Sequence, residues 1–138
     1  MDETTEASIV KTVLKHFPAV QGIYLFGSCA TGNEWPQSDV DIALLLPHEQ
    51  SKTEKNLLLS ECRFDLEKAL HKQVDLLNAR QVSTVFQKEI IAGKCIHVAD
   101  RDAVEEFEML TLSKYQKLNE ERREILEDFQ KTGRAYKV

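Results

Sequence analysis

The sequence predicts an α/β (α+β) fold, a small mixed sheet flanked by helices and followed by a long C-terminal helix. Three observations predict it. Short runs rich in β-branched, aromatic and aliphatic residues read as strands at 22–26, from the Asp39-Asp41 pair up to Pro47, at 74–77 and at 95–98. Between these runs, apolar residues return at helical spacing, so strands and helices alternate. From about Arg101 the chain becomes a charged stretch that keeps one apolar stripe.

Ile9, Val10, Val13, Leu14 and Phe17 mark the first helix, and Pro18 stops it. Gly22-Ile23-Tyr24-Leu25-Phe26 then has the character of a buried strand entering a tight turn at Gly27. Ser28 opens a short helix in this reading. Its N-terminal N–H groups and dipole would receive a triphosphate, with the Ser28 hydroxyl as an added donor and no Cβ on Gly27 to hold the phosphates away. The turn is not a P-loop, because no Gly-x-x-x-x-Gly-Lys-Ser/Thr pattern occurs. Gly-Ser is also a common turn, and Ser38-Asp39 is also an ordinary way to cap or turn a chain before a strand.

Asp41 is harder to read as structural. It is followed directly by Ile42-Ala43-Leu44-Leu45-Leu46, and an ionised carboxylate buried in such a strand costs several kcal/mol unless paired or metal-bound. Asp39 lies two residues before it, so on a strand both carboxylates leave the same face and can grip one cation. Val74-Asp75-Leu76-Leu77 repeats the anomaly, one acid in a short apolar strand. If that strand lies beside the Asp41 strand, Asp39, Asp41 and Asp75 converge on one edge as hard oxygen ligands suited to Mg²⁺, two ions of which could bridge nucleotide phosphates. A solvent-facing acid on an edge strand is the alternative for Asp75 alone.

The Asp41 strand ends at Pro47. Ser51-x-x-Glu54 has the form of a capping box, after which Leu58, Cys62, Leu66 and Ala69 line one face of a second main helix. Val82, Phe86 and Ile90 mark a shorter helix closed by Gly93, and Cys95-Ile96-His97-Val98 a last edge strand. From Arg101 to Lys131, Val104, Phe107, Tyr115, Leu118, Ile125 and Phe129 form the stripe of the long helix. It either packs on the chain's own sheet or leaves a distal half to dock a partner.

Gly27-Ser28, Ser38-Asp39-x-Asp41 and the later Asp75 resemble the Gly-Ser…Asp-x-Asp…Asp signature of the polymerase-beta-type nucleotidyltransferases, over about residues 8 to 98. The compact length resembles their minimal nucleotidyltransferase branch. That resemblance implies a polymerase-beta-like fold, with residues 1–100 as the nucleotidyltransferase domain and 101–138 as a helical extension of it. It implies Asp39, Asp41 and Asp75 as catalytic metal ligands, and Gly27, Ser28 and Ser38 as nucleotide-binding residues. The implied activity is that of a type VII-like antitoxin, transferring AMP from ATP with Mg²⁺ to a tyrosine of a cognate HEPN-family toxin RNase in a hetero-oligomer. The pattern departs at Thr31, where many members carry Arg; this removes a cation but no metal ligand.

Composition agrees with a small enzyme. A chain of 138 residues with 42% hydrophobic residues makes one domain with an adequate core. Its net charge of −5 disfavours holding long nucleic acid, which needs basic surface to displace counterions. Cys29, Cys62 and Cys95 are not in metal-knuckle pairs, and His16, His48, His71 and His97 lack ligand spacing. The acidic, polar opening and the lack of a long apolar run predict a soluble, cytoplasmic chain with no membrane contact. Lys52, Arg80 and Lys88 are the candidate triphosphate clamps, by their expected closeness to the acid edge. Two other functions fit the same residues: an aminoglycoside-type small-molecule nucleotidyltransferase, and a non-catalytic antitoxin acting by binding alone.

Overall fold

The computed structural model describes residues 3–27, 39–53 and 60–132, with side chains to residue 126. Ser28, Cys29, Thr31, Ser38, Glu54 and Leu58, and the side chain of Phe129, lie outside the described residues. The described elements are α1 (Glu3–His16), β1 (Gly22–Phe26), β2 (Val40–Leu45), α2 (His48–Thr53), α3 (Glu61–Leu70), β3 (Val74–Asn78), α4 (Thr84–Ala92), β4 (Lys94–Val98) and α5 (Arg101–Thr132).

The four strands form one mixed sheet in the order β3-β2-β1-β4. β1 is antiparallel to both β2 and β4, whereas β2 and β3 run parallel. A parallel pair cannot be joined by a hairpin, so the chain crosses over through α2 and α3 before returning. Alternation along each strand divides the core in two. Ile23, Leu25, Ile42, Leu44, Val74 and Leu76 meet Ile9 and Val13 of α1 and Cys62 and Leu66 of α3. Tyr24, Phe26, Ala43 and Leu45 face the other way, onto Ile90 of α4 and Val104 and Phe107 of α5.

Local chemistry sets the helix ends. Ser60 caps α3 by accepting from the Arg63 N–H at 3.3 Å, and His71 closes it in the left-handed region at φ 55°, its N–H reaching the Glu67 carbonyl. Ser83 and Asp100 cap α4 and α5 in the same way. The capping role expected of Ser51 is not what it does. It is buried inside α2, its hydroxyl donating to Asn78 Oδ1 at 3.1 Å while Asn78 Nδ2 donates to the Ser51 carbonyl, so it ties α2 to the end of β3. Ala69 is exposed, and Val82 packs from the turn before α4.

The long helix divides as its stripe allows. Val104, Phe107 and Thr111 are buried against the sheet and α4, and the Lys88 ammonium sits over the Tyr115 ring at 5.7 Å. Further out, Ile125 and Leu126 are 56% and 61% exposed.

The Tyr24 hydroxyl is buried without a partner at bonding geometry, near Glu108 and Cys95. Burial above all, then Glu108, pushes its pKa well above the ordinary tyrosine value. Removing an unpaired buried hydroxyl while keeping the ring relieves a desolvation cost. Tyr24→Phe is therefore expected to stabilise the protein by about 1 kcal/mol in chemical denaturation.

Candidate active site

The two acids that sequence placed in apolar strands meet in space. In the parallel pairing of β2 with β3, Asp41 stands directly opposite Asp75. Both sit at the start of their strands, at the sheet end where β1 finishes, and Phe26 is the antiparallel partner of Asp41. By the alternation of Asp41 with Ala43 and Leu45, and of Asp75 with Leu77, both belong to the face that α4 and α5 partly cover. Asp39, just before β2, is exposed.

Electrostatics record the crowding. The Asp41 carboxyl is pushed up from 3.8 to about 6, first by burial, then by the charge and hydrogen bond of Asp75, and last by the charge of Asp39. Gly27 approaches from the end of β1 at φ 70°, in the left-handed region that favours glycine. A Cβ there would run into Asp41 Oδ2, so the glycine leaves room for the carboxylate. Gly27 thus stands at the acid edge; Ser28 and Ser38 lie outside the described residues.

Among the described residues, no three His, Cys, Asp or Glu side chains are arranged to hold a metal ion. The donor set nevertheless fits a divalent cation. Asp41 is raised to about 6 first by burial and then by Asp75 and Asp39, and a cation among these hard oxygen donors would offset both the lost solvation and the repulsion.

Two expected clamps are elsewhere. Arg80 donates from Nε to the Leu46 carbonyl at 2.6 Å and from Nη2 to Gln21 Oε1 at 2.7 Å, which places it where β2 ends and β1 begins, at the opposite end of the strands from Asp41. Lys52 lines a cavity of about 160 Å³ with Arg80 at that same end. The chain leaves β3 at the far end before α4 turns back, so residues soon after β3 are far from the acids. Lys88, on α4, is the one of the three that lies over Tyr115.

The model of the family described as "Polymerase beta, Nucleotidyltransferase" matches residues 9–102, a span that contains all four strands and both paired acids. The chain belongs to that family. This nucleotidyltransferase is 36% identical over 129 residues to the protein adenylyltransferase MntA of Shewanella oneidensis, covering 93% of this chain and 89% of the relative. A chain of a solved toxin–antitoxin structure with AMP-PNP superposes with a TM-score of 0.69 at 33% identity, covering 91% of this chain and 98% of the other. A chain of the tri-AMPylated Shewanella oneidensis HEPN toxin in complex with its MNT antitoxin gives a TM-score of 0.66 at 30% identity, covering 94% and 99%. The polymerase-beta-like fold and the minimal nucleotidyltransferase resemblance both hold. No helix among the described residues is long and apolar enough to cross a membrane.

Proposed function

We propose that this nucleotidyltransferase is the antitoxin of a toxin–antitoxin pair, a protein adenylyltransferase that moves AMP from ATP to a tyrosine hydroxyl of a HEPN-family toxin and so neutralises it. What carries the reading is the likeness over 93% of the chain to a protein adenylyltransferase. The solved complexes of similar chains, one with a tri-AMPylated HEPN toxin and one with AMP-PNP, support the acceptor and the nucleotide. The acid edge offers a place for that chemistry.

In this reading Asp39, Asp41 and Asp75 hold Mg²⁺, with two ions the number assigned. When bound, Mg²⁺ neutralises phosphate charge and favours ionisation of the acceptor hydroxyl. The rest falls to the chain's own groups. Gly27 and Ser28 cradle the phosphates at the turn, Ser38 adds a donor, and the carboxylates, by holding the cation, would draw the phosphates to the end of β2 and β3. The tyrosine oxygen attacks the α-phosphorus in line, the bond to pyrophosphate breaks, and Asp75 takes the hydroxyl proton. Positioning supplies most of the acceleration. Residues 1–100 form the nucleotidyltransferase domain and 101–138 a helical extension of it. The exposed apolar side chains of distal α5 are the surface assigned to the toxin, and the cytoplasm is the compartment assigned to the pair.

The reading is tested by neutralisation. Cells expressing the cognate toxin are expected to be protected by the parent protein and to lose that protection with the Asp39→Ala, Asp41→Ala form. Undiminished protection by the double variant would identify a binding antitoxin that acts without transfer.

A further inference from the structure

We propose that Phe86 is the platform on which the nucleobase of the incoming nucleotide stacks. The proposal rests on the nucleotidyltransferase reading and assigns that site its base-binding wall.

α4 is packed in a way that core formation alone does not explain. It turns Gln87 inward, 6% exposed with Nε2 donating to the Ala79 carbonyl at 2.9 Å, and leaves the neighbouring Phe86 and Val85 38% and 42% exposed. A helix that buries an amide and leaves an aromatic ring half in solvent reverses the usual preference. The ring is nevertheless held. It meets Phe26 edge to face, with centroids 5.7 Å apart and planes at 82°, and the Ser83 cap fixes the backbone at Phe86 itself.

Phe26 connects this ring to the acids. It is the last residue of β1, beside Gly27, and the cross-strand partner of Asp41. α4 runs back toward that end of the sheet, where Gly93 closes on Leu25 and Phe26. Through its ring contact with Phe26, Phe86 stands on the face that Asp41 and Asp75 share, over β1, the strand paired with β2. Among the described residues, the other phenylalanine exposed by more than a third is Phe64, on α3 against the opposite face. A nucleotide is polar at its phosphates and flat and apolar at its base. A charged edge with a fixed, half-exposed ring beside it matches that division, and base–aromatic stacking tolerates any base because every base has a π-face.

The test compares binding of α,β-methylene-ATP, whose α–β bond cannot be cleaved, and of inorganic tripolyphosphate, both with Mg²⁺, to the full chain and to variants. Phe86→Ala and Phe86→Leu, the second keeping apolar bulk without a π-face, are expected to bind the nucleotide about five- to 150-fold more weakly. Phe86→Trp is expected to restore affinity, tripolyphosphate to bind parent and variants alike, and Phe64→Ala to change nothing. Equal loss of nucleotide and tripolyphosphate affinity in Phe86→Leu would show a structural role and overturn the proposal. So would unchanged nucleotide affinity with impaired toxin modification, which would assign the patch to the acceptor. If the parent itself bound neither probe, the nucleotidyltransferase reading would fall and the platform with it.

Discussion

Asp41→Asn is expected to abolish transfer and at the same time to stabilise the free protein at neutral pH. The loss of activity follows from removing the more buried acid of the facing pair, and should reach roughly 10³-fold or more. The gain in stability follows from its titration. An ordinary aspartate ionises near 3.8, whereas Asp41 in the folded protein does so at about 6, chiefly through burial and then through Asp75. Between those values the folded form holds a proton that the unfolded form has released. The contribution of Asp41 to stability is therefore fully present below about pH 4 and is lost as pH rises through about 6. Above that, the ionised carboxylate opposes folding, on the order of 1 kcal/mol once solvent access to the side chain is allowed for. Asparagine keeps the shape without the charge. Thermal unfolding of both proteins without divalent metal, from pH 5 to pH 8, should show the variant's advantage opening through pH 6. An advantage that is constant, or that closes with rising pH, would contradict this account of the acid edge.

Gly93→Ala is expected to cost the fold heavily in stability. Gly93 links α4 to β4, and a Cβ there would run into the Leu25 carbonyl and the Phe26 Cα. Both are backbone atoms of a central strand, so no flexible side chain can yield. The backbone of Gly93 is not in the left-handed region, so the demand for glycine comes from close approach alone. A loss of about 3 kcal/mol, or roughly 10–20 °C in Tm, is expected. Because the displaced residues are the end of β1, beside Gly27 and opposite Asp41, transfer should fall even below the new melting point. A folded variant with near-parental Tm and activity would show that β1 and α4 separate more easily than their contact implies.

The strands were legible because their signals are local. Alternation, β-branching and turn residues placed all four; the structure starts β2 only at Val40, so Asp39, expected on that strand with Asp41, stands just before it, and β3 extends to Asn78. Asp41 was legible for a different reason: a charge in an apolar strand is expensive. Asp75 is exposed on the edge strand β3, as the alternative reading of it allowed, and it is the parallel pairing of β3 with β2 that sets it opposite Asp41. What sequence could not supply was direction. Lys52 and Arg80 follow strands that begin at the acids, yet each lies at the far end, because distance along the chain does not say which way an element points. Ser51 matched a capping box by spacing, but a bond to Asn78, 27 residues away, determines its place. The stripe of α5 left open whether it is buried along its length or only in its first half; a helix of 32 residues spans about 48 Å and four strands only about 19 Å. Its distal side chains extend past the sheet. Phe86 marked the spacing of a helix, and only the folded chain, which turns Gln87 inward beside it, shows the ring more than a third exposed.

The measurement that bears most directly on the central claim is the intact mass of the cognate toxin after incubation with ATP and Mg²⁺, using the parent protein and its Asp39→Ala, Asp41→Ala form. The account predicts mass steps of one AMP each with the parent, on a toxin tyrosine, and none with the variant. An unmodified toxin in both reactions, still neutralised by both proteins, would contradict it and leave an antitoxin that works by occlusion.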